Sequence, residues 1–123
     1  MENKIGLRKS NNLQNRLFDF AVEVIKLTRK LPKGKEYDVM SFQLIKSSTS
    51  TEANYEEAQG AVSKADFVNK VGISLKEMLE SSYWIRLIVA TTERQDGWKN
   101  LLKEAEELKK VLGSIYSKTS IKR

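Results

Sequence analysis

No cysteine and no histidine occur among the 123 residues, proline occurs once, and glycine six times. Without cysteine there are no disulfides and no thiolate chemistry. Without histidine, the commonest general base and the commonest transition-metal ligand are both missing. The scarcity of proline and glycine removes most of the punctuation that short strands need, and the abundance of Glu, Lys and Leu suits helices. Long hydrophobic runs are lacking too. The most apolar window, Tyr83 to Ala90, is too short to span a bilayer and contains Arg86. No apolar run follows Met1, Glu2, Asn3 and Lys4, so a secretory signal is not expected. A cytoplasmic protein with no membrane partner is the expectation.

What is present is charge, unevenly placed. The net charge is +6, with ten Lys/Arg against five Asp/Glu in residues 1–51, seven against eleven in 52–107, and five against none in 108–123. Both ends are basic and the middle is acidic, a distribution that favours an anionic partner such as RNA or DNA. The hydrophobic share of 40% over this length supports one core and one domain, residues 1–123.

Apolar periodicity divides the chain into four helices. Residues 1–11 (with Lys4, Arg8 and Lys9) lack periodicity and read as a flexible basic arm. The first helix, about 12–31, opens at a capping Asn11 or Asn12 and carries Leu13, Leu17, Phe20, Ala21, Val24, Leu27 and Leu31 on one stripe. Phe18, Val22 and Ile25 make a second ridge, and Pro32 ends the helix. The second helix, about 37–59, places Tyr37, Met40, Leu44, Ser47, Ser48, Thr51, Asn54, Tyr55 and Ala58 on one arc. The middle of that arc is small and hydroxylic, which allows close helix approach and bonding back to the preceding turn. Asn54, if buried there, needs hydrogen-bond partners.

Gly60 can end this helix, and Ser63 with Asp66 resembles a capping box. The third helix, about 64–92, carries Phe67, Val71, Ser74, Met78, Ser82, Ile85 and Val89 on its main stripe. Ile73, Leu79, Tyr83, Trp84 and Leu87 lie outside it, so this helix is apolar on more than one side. That pattern predicts a surface shared with another subunit. After a turn at Gln95, Asp96 and Gly97, with Asp96 as cap, the fourth helix covers about 98–117. Trp98, Leu101, Ala105, Leu108, Leu112, Ile115 and Tyr116 form its stripe, and Glu106 is spaced to pair with Lys110. Residues 118–123 form a basic tail. Four amphipathic helices with short connections predict an all-α, antiparallel up-down-up-down four-helix bundle.

The second and third helices resemble the four-helix-bundle family named for the 23S rRNA intervening-sequence protein. The residues carrying the resemblance are Gln43, Leu44, Ser47, Ser48, Ala53, Asn54, Glu57, Ser63, Asp66 and Phe67. It continues through Lys70, Ile73, Leu75, Lys76, Glu77, Glu80, Tyr83, Trp84 and Leu87, and includes Phe20, Ala21, Leu31 and Pro32. The resemblance implies a ring-like homopentamer. A related branch, the accessory protein of diversity-generating retroelements, is a basic pentamer that binds nucleic acid and its reverse transcriptase.

Catalytic chemistry finds little purchase. Ser47, Ser48, Ser50 and Thr51 have no activating base, and no phosphate-cradling glycine loop is present. Glu52, Glu56, Glu57, Glu77 and Glu80 could hold a hard cation, but bundle di-metal sites use Glu-x-x-His pairs, and for Glu57, Glu77 and Glu80 pairing with Lys70, Lys76 or Arg86, or capping of backbone groups between helices, is the better expectation. No enzyme activity, metal or cofactor is expected. Tyr83 and Trp84 could stack on bases, yet Glu77 and Glu80 beside them would repel phosphate. Ile73, Leu79, Tyr83, Trp84 and Leu87 are therefore assigned to an oligomer contact, since interface cores favour aromatics. For nucleic acid the candidates are Arg16, Lys26, Arg29, Lys30, Lys33 and Lys35 with the basic termini, contacting phosphate without base specificity. The competing expectation is an oligomeric scaffold or protein-interaction module that does not touch nucleic acid.

Overall fold

The computed structural model describes residues 12–93 and 96–120, so the basic arm at 1–11 and the last three residues of the tail lie outside the described residues. Four helices follow in order: α1 (Leu13–Thr28), α2 (Lys35–Gln59), α3 (Lys64–Thr91) and α4 (Trp98–Ser120).

Local chemistry explains the ends. The Asn12 side chain accepts from the Asn15 N–H at 3.1 Å and caps α1. The expected end at Leu31 comes three residues too late. Lys30 and Leu31 donate to Leu27 and Thr28 in tight i,i+3 turns, because Pro32 keeps the residue before it out of the helical region. α2 begins two residues before the expected Tyr37; Gly34 offers no side-chain cap, and Glu36 and Asp38 in the first turn complement the helix dipole. At α3 the Ser63 hydroxyl accepts from Asp66 N–H at 3.0 Å, and the Asp66 carboxylate reaches back to the Val62 N–H. The capping box is present, with its return bond displaced by one residue. Gly97, rather than Asp96, precedes α4, and its carbonyl accepts the first helical bond from Leu101. α4 runs three residues past the expected Ser117, so Lys118 to Ser120 are helical rather than tail.

The direction of each pair can be read from contacts. Tyr37 meets Thr91, Ser47 meets Ser81, and Thr51 meets Ser74, so α2 and α3 run in opposite senses. Ser82 meets Glu106, and Tyr116 lies against Gly72, so α3 and α4 do likewise. Gln14 at the start of α1 meets Glu56 near the end of α2. Each helix packs on its two neighbours around the bundle, with α1 closing against α4. This is the up-down-up-down arrangement.

Leu17, Phe20, Val24 and Leu27 of α1 meet Met40 and Leu44 of α2, Met78, Ile85 and Ile88 of α3, and Leu101, Leu108 and Leu112 of α4 in one core. The α3 stripe drifts from the expectation: Ser81 and Ile88 are buried, whereas Phe67 and Val89 are only half-buried. A helix packed between two neighbours buries two adjacent lines of residues instead of one. The stripe of α4 ends at Leu112. Ile115 is half-buried and Tyr116 exposed, because Arg16, one turn into α1, is level with Glu104, and α4 runs on past the start of α1.

Between α2 and α3 the close approach is made by hydroxyls. Ser47 and Ser81 share a hydrogen bond of 2.7 Å, Ser74 donates to the Thr51 carbonyl at 2.8 Å, and Thr51 donates to the Ser47 carbonyl at 2.9 Å. Every buried hydroxyl in this seam is thereby satisfied within or across the pair, as burial demands. Asn54, half-buried, donates to the Ser50 carbonyl and hydroxyl.

Candidate nucleic-acid interface

The α1–α2 connection gathers cations because the chain reverses there within six residues. Arg29, Lys30, Lys33 and Lys35 are all exposed, and Lys26, in the last turn of α1, is half-buried. The Tyr37 hydroxyl donates to the Thr91 carbonyl at 3.0 Å, which ties the start of α2 to the end of α3. The basic turn and the α3–α4 connection therefore share one end of the bundle. Exposed Lys99, in the first turn of α4, joins that end; sequence reasoning overlooked it because it lies seventy positions from the turn, and only closure of the bundle unites them. The same end also carries exposed Glu36, Asp38, Glu93 and Asp96, so its potential is positive but diluted.

Arg16 does not belong to this group. Its guanidinium grips Glu104 with two bonds, at 3.0 and 2.8 Å, and reaches Glu107 at 2.7 Å. Glu104 is 6% exposed. The hydrogen bond to Glu104 is the largest cause that raises the Arg16 pKa, against the opposing effect of burial. Arg16 is also separated from Arg29 by thirteen residues of helix, or roughly 20 Å. It is a clamp between α1 and α4, with its guanidinium paired to two carboxylates.

The carboxylates considered as cation ligands are dispersed into separate pairs. Glu57 meets Lys70 at 2.7 Å as expected, Glu80 accepts from the Trp84 indole at 3.1 Å, and Glu56 accepts from Gln14. Burial, reinforced by neighbouring Glu56, raises the pKa of Glu52. Glu106 pairs with Lys109 at 2.6 Å, where Lys110 was expected, and accepts from Ser82; both bonds hold its pKa below the ordinary value.

On α3, Leu79 and Tyr83 are about half exposed, and Ile73, Trp84 and Leu87 are half-buried, the last two packed on the edge of the core. The Tyr83 and Trp84 rings meet edge to face with centroids 4.8 Å apart, and the Arg86 guanidinium lies 5.8 Å from the Tyr83 ring. The assigned residues thus split between an outward pair and an inward pair, with Ile73 at the margin. Exposed apolar side chains recur on the other half of the bundle, at Phe18 of α1 and at Val39 and Phe42 of α2. Phe18 belongs to the second ridge of α1; Val39 and Phe42 have the i,i+3 spacing that could have marked them in the sequence.

Among the described residues no helix is long and apolar enough to cross a membrane. The chain is similar to a solved structure from the S23 ribosomal protein family of Bacteroides thetaiotaomicron VPI-5482, a protein of unknown function. The identity is 35%, the match covers 85% of this chain and 98% of the other, and the TM-score is 0.77. Among curated proteins no relative matches. The family described as 23S rRNA-intervening sequence protein matches residues 9–114. With nearly the whole described bundle inside that match, the chain belongs to the 23S rRNA-intervening sequence protein family.

Proposed function

We propose that this protein is a non-enzymatic, homo-oligomeric bundle that binds RNA or DNA through the phosphate backbone. The observation that carries the reading is the exposed basic turn: Arg29, Lys30, Lys33 and Lys35 stand free of any ion pair among the described residues, with Lys26 beside them. Arg16 is left out, since Glu104 and Glu107 already neutralise it. Cations without a built pocket bind phosphate without reading bases. Assembly strengthens such weak contacts, because a ring repeats the turn once per subunit. The exposed apolar residues of α3 face one way, and those of α1 and α2 belong to other helices. An apolar α3 face that meets a different surface of the next subunit makes a head-to-tail contact, the kind that closes into rings such as the pentamer implied by the family resemblance.

The experiment is binding of a short RNA to the purified protein across a salt series, with light scattering on the same samples. Affinity is expected to fall steeply with salt, and reversing Lys30 and Lys33 to Glu is expected to weaken binding and reduce the logarithmic salt slope by about one per cation removed. The scaffold reading is favoured by the same α3 face, with Leu79 and Tyr83 exposed. An oligomer whose scattering and anisotropy are indifferent to RNA would put that reading first.

A further inference from the structure

The outer crevice between the first half of α3 and the last turns of α4 forms a groove of about 870 Å³. Val68, Ile73 and Leu79 give it an aliphatic wall, and Tyr116 closes it from α4. Gly72 makes the crevice: a Cβ there would lie 2.9 Å from the Tyr116 ring, so the absence of a side chain lets the ring rest against the α3 backbone. Lys64 and Lys76 also line the groove, both are exposed, and neither takes part in an ion pair among the described residues. No Asp or Glu lines it. Exposed Lys118 lies in the last turns of α4, beside the groove's Tyr116, Thr119 and Ser120 in the chain.

We infer that this groove docks an amphipathic helix of another protein, one whose apolar stripe is flanked by Asp and Glu. The apolar floor takes side chains at i, i+3, i+4 and i+7 spacing, as grooves between helices do. The lysines at its rim select a partner of opposite sign and reject a basic one. The aliphatic lining speaks against nucleic acid, since bases stack on aromatic rings and Tyr116 is the one ring in the lining. The basic turn proposed for RNA lies at the opposite end of the bundle from the groove. The groove meets the proposed assembly face at Ile73 and Leu79, so the test relies on other groove residues.

The test uses the full chain and a fluorescent peptide of roughly 18 residues, with Leu at helical spacing and Glu on both flanks. A second peptide carries Lys at every Glu position. The acidic peptide is expected to bind roughly tenfold tighter or more. Val68→Asp is expected to abolish that binding, and Lys64→Glu with Lys76→Glu to invert the preference. Salt-dependent RNA binding and particle mass should be unchanged in both variants, which separates failure of the groove from failure of the basic turn. Circular dichroism checks that Val68→Asp folds; if it does not, the paired lysine variant alone decides. Equal binding of the two peptides, or binding that survives the groove variants, overturns the inference. Displacement of the peptide by a short oligonucleotide assigns the groove to nucleic acid and overturns it as well. A fall in particle mass in the folded Val68→Asp protein shows that a second copy covers the groove, which also overturns it.

Discussion

At the scale of single residues, the charged groups that matter most to stability are those the bundle has partly buried. Glu104 is nearly enclosed and holds Arg16 with two bonds, so removing the carboxylate leaves a guanidinium that is 16% exposed with Glu107 as its remaining partner. Glu104→Ala is expected to cost about 2–3 kcal/mol in denaturant unfolding, and the double replacement by Met at both positions much less, because the penalty comes from a largely buried charge left with only its exposed partner. Glu106 and Glu52 shift in opposite senses, and their pH behaviour follows. The bonds from Lys109 and Ser82 lower the Glu106 pKa, so it contributes stability above its unfolded value, near 4.5, that is lost as pH falls through the lower folded value. Burial beside Glu56 raises the Glu52 pKa, so its charge costs stability above the folded value, and the cost disappears below 4.5. Thermal melts should show Glu106→Gln less stable and Glu52→Gln more stable at neutral pH. Both differences should fade on acidification.

At the scale of elements, glycine separates two kinds of constraint. Gly97 has φ +83 ahead of α4, and a Cβ there would meet Leu27 at 2.9 Å. Gly97→Ala meets both strain and a core neighbour, and is expected to destabilise by about 1–2 kcal/mol or more. Gly72 is helical, and what it touches is the movable ring of an exposed tyrosine. Gly72→Ala gains up to about 1 kcal/mol of helix propensity against a small shift of Tyr116, so its melting temperature should stay level or rise. The pair was not separable from sequence. Both positions read simply as glycine, one in a turn and one in a helix, and their neighbours come from helices far away in the chain.

At the scale of the whole molecule, the proposed assembly rests on apolar residues that the bundle leaves exposed. Leu79 and Tyr83 contribute little to the core, so Leu79→Glu with Tyr83→Glu should leave helicity intact. In light scattering the double variant is expected to fall to about the subunit mass of 14.1 kDa. It should also bind RNA more weakly at equal subunit concentration, because the repeated basic turns would no longer act together. A variant that keeps the mass of the unsubstituted protein would place the subunit contact elsewhere, with Phe18 and Phe42 the next residues to change.

Helix number, order and type were legible in the sequence because periodicity at three and four residues is a local property, written without reference to any other helix. The Ser63 cap, the hydroxyl-lined middle of α2 and the excess apolar surface of α3 were legible for the same reason. The fate of individual charges was not. Arg16 and Arg29 look alike along α1, and only the approach of α4 turns one into a clamp and leaves the other in solvent. Ser81 and Ile88 joined the interior because α3 faces two neighbours at once, and Tyr116 left it because α4 outlasts α1. The chain alone determined a four-helix bundle with basic ends. Tertiary packing decided which cations stay free, where the groove opens and which apolar residues remain outside, because those depend on distances between segments that no local pattern encodes.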